Sequence, residues 1–155
     1  MSTKLSKNFT LQELTKSATA DRYDIDNTPN EKEIENLKRL ANNVLQPIRD
    51  KWKKSIFVNS GFRCEELNTK VGGSKTSQHR KGEAADIEVS NSNNAKLFNM
   101  IKGMIENNEI EVGQLIWEYG TKKNLIGFMY HCLCHIRRIK FYIFINRFHL
   151  FSLLI

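Results

Sequence analysis

The chain has 155 residues, 40% of them hydrophobic and 26% charged, and a formal net charge of +7 at pH 7. That size and balance fit one globular domain and exclude the charge-rich, apolar-poor composition of a disordered chain. The charge is uneven: Arg137, Arg138, Lys140 and Arg147 supply +4 without one acid beyond Leu125, which leaves +3 on the rest and no basic face of the kind nucleic acid requires.

Taken in chain order, residues 1–7 are polar and lack the apolar run of a signal peptide, so cytoplasmic synthesis is expected. Thr10 followed by Glu13 has the form of a capping box and predicts a short helix over 11–16. Thr28, Pro29 and Glu31 predict a second start with proline in the first helical position. Ile34, Leu37, Leu40, Ala41, Val44, Leu45 and Ile48 then follow at three- and four-residue spacings, one apolar stripe that faces a core, and Pro47 predicts a kink in the last turns. Lys51, Lys53 and Lys54 around Trp52 read as a solvated helix end rather than a nucleic-acid contact.

Residues 56–58 are β-rich and are stopped by Asn59, Ser60 and Gly61; a polar helical stretch runs to Val71, and a loop covers 72–76. Strands are predicted over 84–89 and 115–119, with an amphipathic helix between them marked by Ala95, Phe98, Ile101, Met104 and Ile105. This mixture gives an α+β class: a small antiparallel sheet with flanking helices. Cys64, Cys132 and Cys134 form an odd set without framework spacing, so no disulfide scaffold is implied.

The residues with chemistry lie between Ser60 and Asp86. His79 sits in a Gly- and Ser-rich loop, and Asp86 follows seven residues later on a strand whose other face carries Ala85, Ile87 and Val89. A turn at Gly82 brings an imidazole and a carboxylate together, two of the three protein donors usual at a hydrolytic zinc. One His and one Asp at this spacing also make an ordinary solvated pair or a loop-anchoring hydrogen bond.

The run Ser77-Gln78-His79-Arg80-Lys81-Gly82-Glu83-Ala84-Ala85-Asp86 resembles the Ser-x-His-x-x-Gly-x-Ala-x-Asp signature of zinc D-alanyl-D-alanine carboxypeptidases and phage endolysins, the peptidase M15 family, and matches all five fixed positions. Ser60-Gly61-Phe62-Arg63 and the opening Phe9-Thr10-Leu11-Gln12-Glu13-Leu14 are similar to further family segments, so the likeness spans about 8–124. It implies a D,D-peptidase or hedgehog-like zinc domain, with His79 and Asp86 as Zn2+ ligands and Arg63 at the substrate site. A guanidinium there suits a peptide carboxylate or a developing oxyanion. Ser77 is placed to bond a substrate carbonyl or to cap its loop, and Gln78 to donate to an oxyanion. The implied substrates are peptidoglycan stem peptides, reached at the cell wall after release by phage lysis or from a phage tail, and a monomer is expected.

The same resemblance implies a later Asp-x-x-His segment that brings the general base and the third zinc ligand. It should follow Trp117 closely, yet beyond Asn124 acids vanish and 11 of the 15 residues from Phe141 to Ile155 are apolar or aromatic. Permitted codons for Leu125 to His131, regrouped by one base, spell GAT TGG GTT CAT GTA TCA, or Asp-Trp-Val-His-Val-Ser. The chain therefore divides into 1–124, an incomplete peptidase domain, and 125–155, a basic and apolar tail read out of frame. The base and third ligand are missing from this reading, with His131, beside Cys132, Cys134 and His135, a weak substitute. The tail is too short and too interrupted by Asn146, Arg147 and His149 for a stable membrane span.

Overall fold

A computed structural model describes residues 3–90, 93–119, 126–131 and 142–146. The α+β expectation holds. Among the described residues, helices α1 (Leu11–Thr15), α2 (Ala18–Tyr23), α3 (Glu31–Leu40), α4 (Gln46–Trp52), α5 (Glu65–Lys70) and α6 (Asn94–Glu106) accompany strands β1 (Phe57–Ser60), β2 (Ala84–Glu88), β3 (Gln114–Tyr119), β4 (Ile126–His131) and β5 (Tyr142–Asn146).

The helix starts follow side-chain chemistry. Thr10 caps α1 by accepting the Glu13 N–H. The second predicted start is displaced: Asn30, not Thr28, caps α3, and the box closes between Asn30 and Glu33 in both directions, at 3.0 and 2.8 Å. Thr28 instead gives its N–H to Asp26, and Pro29 lies ahead of the helix rather than in its first position. The Asn30 carboxamide is as good a cap as a hydroxyl, and the glutamate three residues on completes the pair.

The apolar stripe of α3 continues through a π-helical turn, Ala41–Leu45, into α4. Pro47 explains the wide turn. A proline inside an α-helix has no N–H and presses on the carbonyl four residues back. Here the chain changes to i→i+5 bonding just before it, with the Gln46 N–H reaching the Ala41 carbonyl. Leu37, Leu40, Ala41, Val44, Leu45 and Ile48 are all fully buried, so the helix crosses the proline without losing its core face.

One continuous core joins these residues to Leu14 of α1, Ile87 of β2, Leu97, Ile101 and Met104 of α6, and Leu115 of β3. Phe98 and Trp117 pack edge to face with centroids 5.2 Å apart. At about 1.5–3 kcal/mol for each large side chain removed from water, this cluster is the main stabilising element. Ala20, Ile25 and Leu67 form a small satellite under α2, a helix the sequence reading passed over.

The sheet order is β1-β2-β5-β3-β4. The expected antiparallel pairing holds at both edges, β1 with β2 and β3 with β4. The centre corrects the expectation: β5 lies between β2 and β3 and runs parallel to both, so the sheet is mixed. Ile143 supplies the reason, being fully buried in the core cluster between Ala85 and Leu115 in register. No helix among the described residues is long and apolar enough to cross a membrane.

Candidate functional site

Three segments meet at the site, each held for an identifiable reason. The first is the end of β1. Val58 pairs with Ile87 but Ser60 pairs with Asp86, so Asn59 is an inserted residue that bulges the strand. The bend delivers Gly61 against α1, where a side-chain carbon would stand 2.2 Å from the Leu14 carbonyl oxygen; only glycine fits. The next residue fastens the approach, with the Phe62 N–H donating to the Leu14 carbonyl at 2.7 Å.

The second segment carries His79. It was expected in a loop and stands instead in a 3-10 turn, Gln78–Lys81, opened by Ser77 and closed by Gly82. Gly82 has φ +70°, and an added carbon there would lie 2.7 Å from the Glu33 carbonyl oxygen, so the turn sits directly on α3. Asn36 of α3 donates to the Lys81 carbonyl at 2.9 Å and holds the turn from the same side. Asn68, itself buried, donates to the Ser74 carbonyl and anchors the loop leading into the turn.

The third segment is β2. Ala84, Ala85 and Ile87 are buried, while Asp86 and Glu88 are less so, as the strand alternation predicts.

Between them the segments bring together three of the residues named from sequence. His79 is 2% exposed, and its Nδ1 lies 2.6 Å from the Gly61 carbonyl oxygen. A carbonyl only accepts, so Nδ1 carries the proton, and in the neutral ring Nε2 is a lone pair. That lone pair faces Asp86 Oδ1 at 3.2 Å, while the other carboxylate oxygen lies 3.9 Å from the Arg63 guanidinium. An imidazole nitrogen and a carboxylate oxygen 3.2 Å apart, with the ring fixed by a backbone carbonyl behind it, are donor types that a divalent cation accepts. The donor types and the tautomer both fit zinc.

Among the described residues no group of three or more His, Cys, Asp or Glu gathers to hold a metal. His131 ends β4, opposite Gln114, with its backbone; its side chain lies outside what is described, as do Cys132, Cys134 and His135.

Ser77 and Gln78 flank His79. The Ser77 side chain makes no capping bond to the turn; its carbonyl accepts from Arg80 N–H, and Gln78 receives the Glu83 N–H on its backbone carbonyl. Glu83, between the two donors in sequence, has its carboxyl held above the usual range by burial, against the opposing charges of Lys81 and Lys32.

Sequence reasoning missed Asn27. Its carboxamide donates to the carbonyls of Thr15 and Phe62, at 2.8 and 3.1 Å, and accepts from the Cys64 N–H at 2.8 Å. No helix stripe or motif marks it; an asparagine between Asp26 and Thr28 reads as an ordinary turn residue.

Comparison with curated proteins and with solved structures finds no match. The family described as Peptidase M15 matches residues 7–116, which takes in all three segments of the site. The chain belongs to the peptidase M15 family.

Proposed function

We propose that this chain derives from a zinc-dependent peptidoglycan peptidase, a D,D-carboxypeptidase or an endolysin-type endopeptidase acting on stem peptides, and that its own turnover is impaired. The observation that carries the reading is the Asp86 carboxylate set between two partners, with Oδ1 3.2 Å from His79 Nε2 and Oδ2 3.9 Å from the Arg63 guanidinium. His79 and Asp86 are the residues that would hold zinc. The chemistry zinc supplies when bound is Lewis-acid polarisation of a carbonyl and a lowered pKa for water.

The chain's own residues divide the remaining work. Gly61 fixes the His79 ring and its tautomer through Nδ1. Arg63 presents a planar pair of donors that suits the terminal carboxylate of a stem peptide. The general base and the third ligand belong to the Asp-Trp-Val-His segment encoded one base away, which makes 125–155 an out-of-frame tail. The family match ends at 116, ahead of that segment, while β4 and β5 still pair with β3 in the sheet. Synthesis in the cytoplasm and action at the cell wall after lysis are part of the same reading.

A second reading is a chain that keeps the site and binds cell wall without turnover. Zinc content by mass spectrometry and hydrolysis of purified peptidoglycan separate the two. Stoichiometric zinc with turnover, both abolished by His79→Ala, would overturn the impaired reading. Sequencing the nucleotides across Asn124 tests the frame directly.

A further inference from the structure

We infer that Asn27, a carboxamide on the α2–α3 connection, is a positioning residue of Arg63, fixing the backbone on both sides of it. The inference rests on the reading of Arg63 as the residue that meets the substrate carboxylate.

Arg63 lies outside any helix or strand. Its neighbours are fixed instead from Asn27. Nδ2 donates to the carbonyl of Phe62, immediately before Arg63, and Oδ1 accepts from the N–H of Cys64, immediately after it. The second Nδ2 hydrogen goes to the Thr15 carbonyl at the end of α1. All three bonds are used at once, and a flipped amide would set its oxygen against two carbonyls. The Arg63 N–H closes the clamp by donating to the His79 carbonyl at 3.1 Å. Arg63 is thus held between a carboxamide on one side and the candidate metal ligand's own backbone on the other.

No other common side chain repeats this. Aspartate keeps the acceptor and loses both donors, serine has one hydroxyl, and glutamine is one methylene too long for the same three partners. The site therefore uses a residue outside every motif to aim the guanidinium that a motif supplies.

The test reads Arg63 directly in the full chain. Arg63 Nε is buried, so its N–H gives a protected signal in nitrogen-15 NMR. Asn27→Ala is expected to speed that exchange about tenfold or more while amides of α3 keep their protection. Asn27→Asp, which retains the Cys64 bond, gives a smaller change of the same sign and serves if the alanine variant does not fold. Unchanged Arg63 exchange in both variants, or an equal loss of protection in Arg63 and α3, overturns the proposal.

A second arm titrates the chain with acetyl-D-alanyl-D-alanine. Asn27→Ala and Arg63→Ala each weaken binding, and the double variant binds no more weakly than Arg63→Ala alone. Additive losses overturn the positioning role. If the wild-type chain binds no dipeptide but the exchange response is present, the substrate reading fails and the positioning of Arg63 by Asn27 stands.

Discussion

Nε2 of His79 lies 3.2 Å from Oδ1 of Asp86, whose other carboxylate oxygen lies 3.9 Å from the Arg63 guanidinium. The Gly61 carbonyl behind the ring, 2.6 Å from Nδ1, takes the one proton the neutral imidazole has. Asp86→Asn tests what this pair is for. The variant is isosteric and its Nδ2 can donate to Nε2, so the metal-free protein should stay within about 1 kcal/mol of wild type. Zinc at a hundred times its dissociation constant stabilises a binding protein by about 2.7 kcal/mol, and that gain should vanish in Asp86→Asn. Thermal melts with and without zinc measure both.

Gly82→Ala should be costly without touching any donor atom. The residue sits at φ +70°, and the new methyl would meet the Glu33 carbonyl at 2.7 Å. A loss of about 1–3 kcal/mol in urea unfolding is expected, with weaker zinc binding because the turn carrying His79 must lift from α3.

Glu83 gives a pH signature. Its carboxyl is raised chiefly by burial, so the folded state holds the proton more tightly than the unfolded chain does. Such a group favours folding below the unfolded carboxyl pKa and loses that contribution as pH rises through the folded value. Glu83→Gln should therefore raise the melting temperature at neutral pH, and the difference from wild type should shrink towards zero in acid. A gain that persists unchanged at low pH would contradict burial as the cause.

Restoring the frame is the most direct test of the proposed impairment. A gene with one base inserted ahead of the last base of the Leu125 codon, and the codons given above, encodes Asp-Trp-Val-His-Val-Ser after residue 125. The restored protein should bind zinc at one per chain and release D-alanine or open peptidoglycan, whereas the present chain holds zinc more weakly, through His79 and Asp86, and does not turn over at a comparable rate. Mass spectrometry and a turbidity assay on purified walls read the outcome.

The sequence showed most where one residue type has one job. The stripe from Ile34 to Ile48 needed only helical spacing to be read, and Asp86 was placed by strand alternation. The start of α3 was misread by two residues because Thr28 and Asn30 are both good caps, and the choice went to the one with a glutamate three residues later. The π-helical turn was invisible because Pro47 announces a disturbance without saying how the backbone absorbs it. Asn27 was invisible for a deeper reason: its three partners, Thr15, Phe62 and Cys64, are brought together only by the fold. The place of β5 was likewise beyond reach, since its neighbours β2 and β3 precede it by more than twenty residues.

That last feature bears on how the molecule is made. Among the described strands, the one that joins the two halves of the sheet is made after the others, so the β1–β2 pair and the β3–β4 hairpin each keep a bare inner edge until Asn146 is free. The helical half, whose contacts from α1 to α4 are closer in sequence, can close during synthesis. The interval between the two events is when the nascent chain offers two unpaired edges to any other strand, and a chaperone or a neighbouring copy competes with β5 for them.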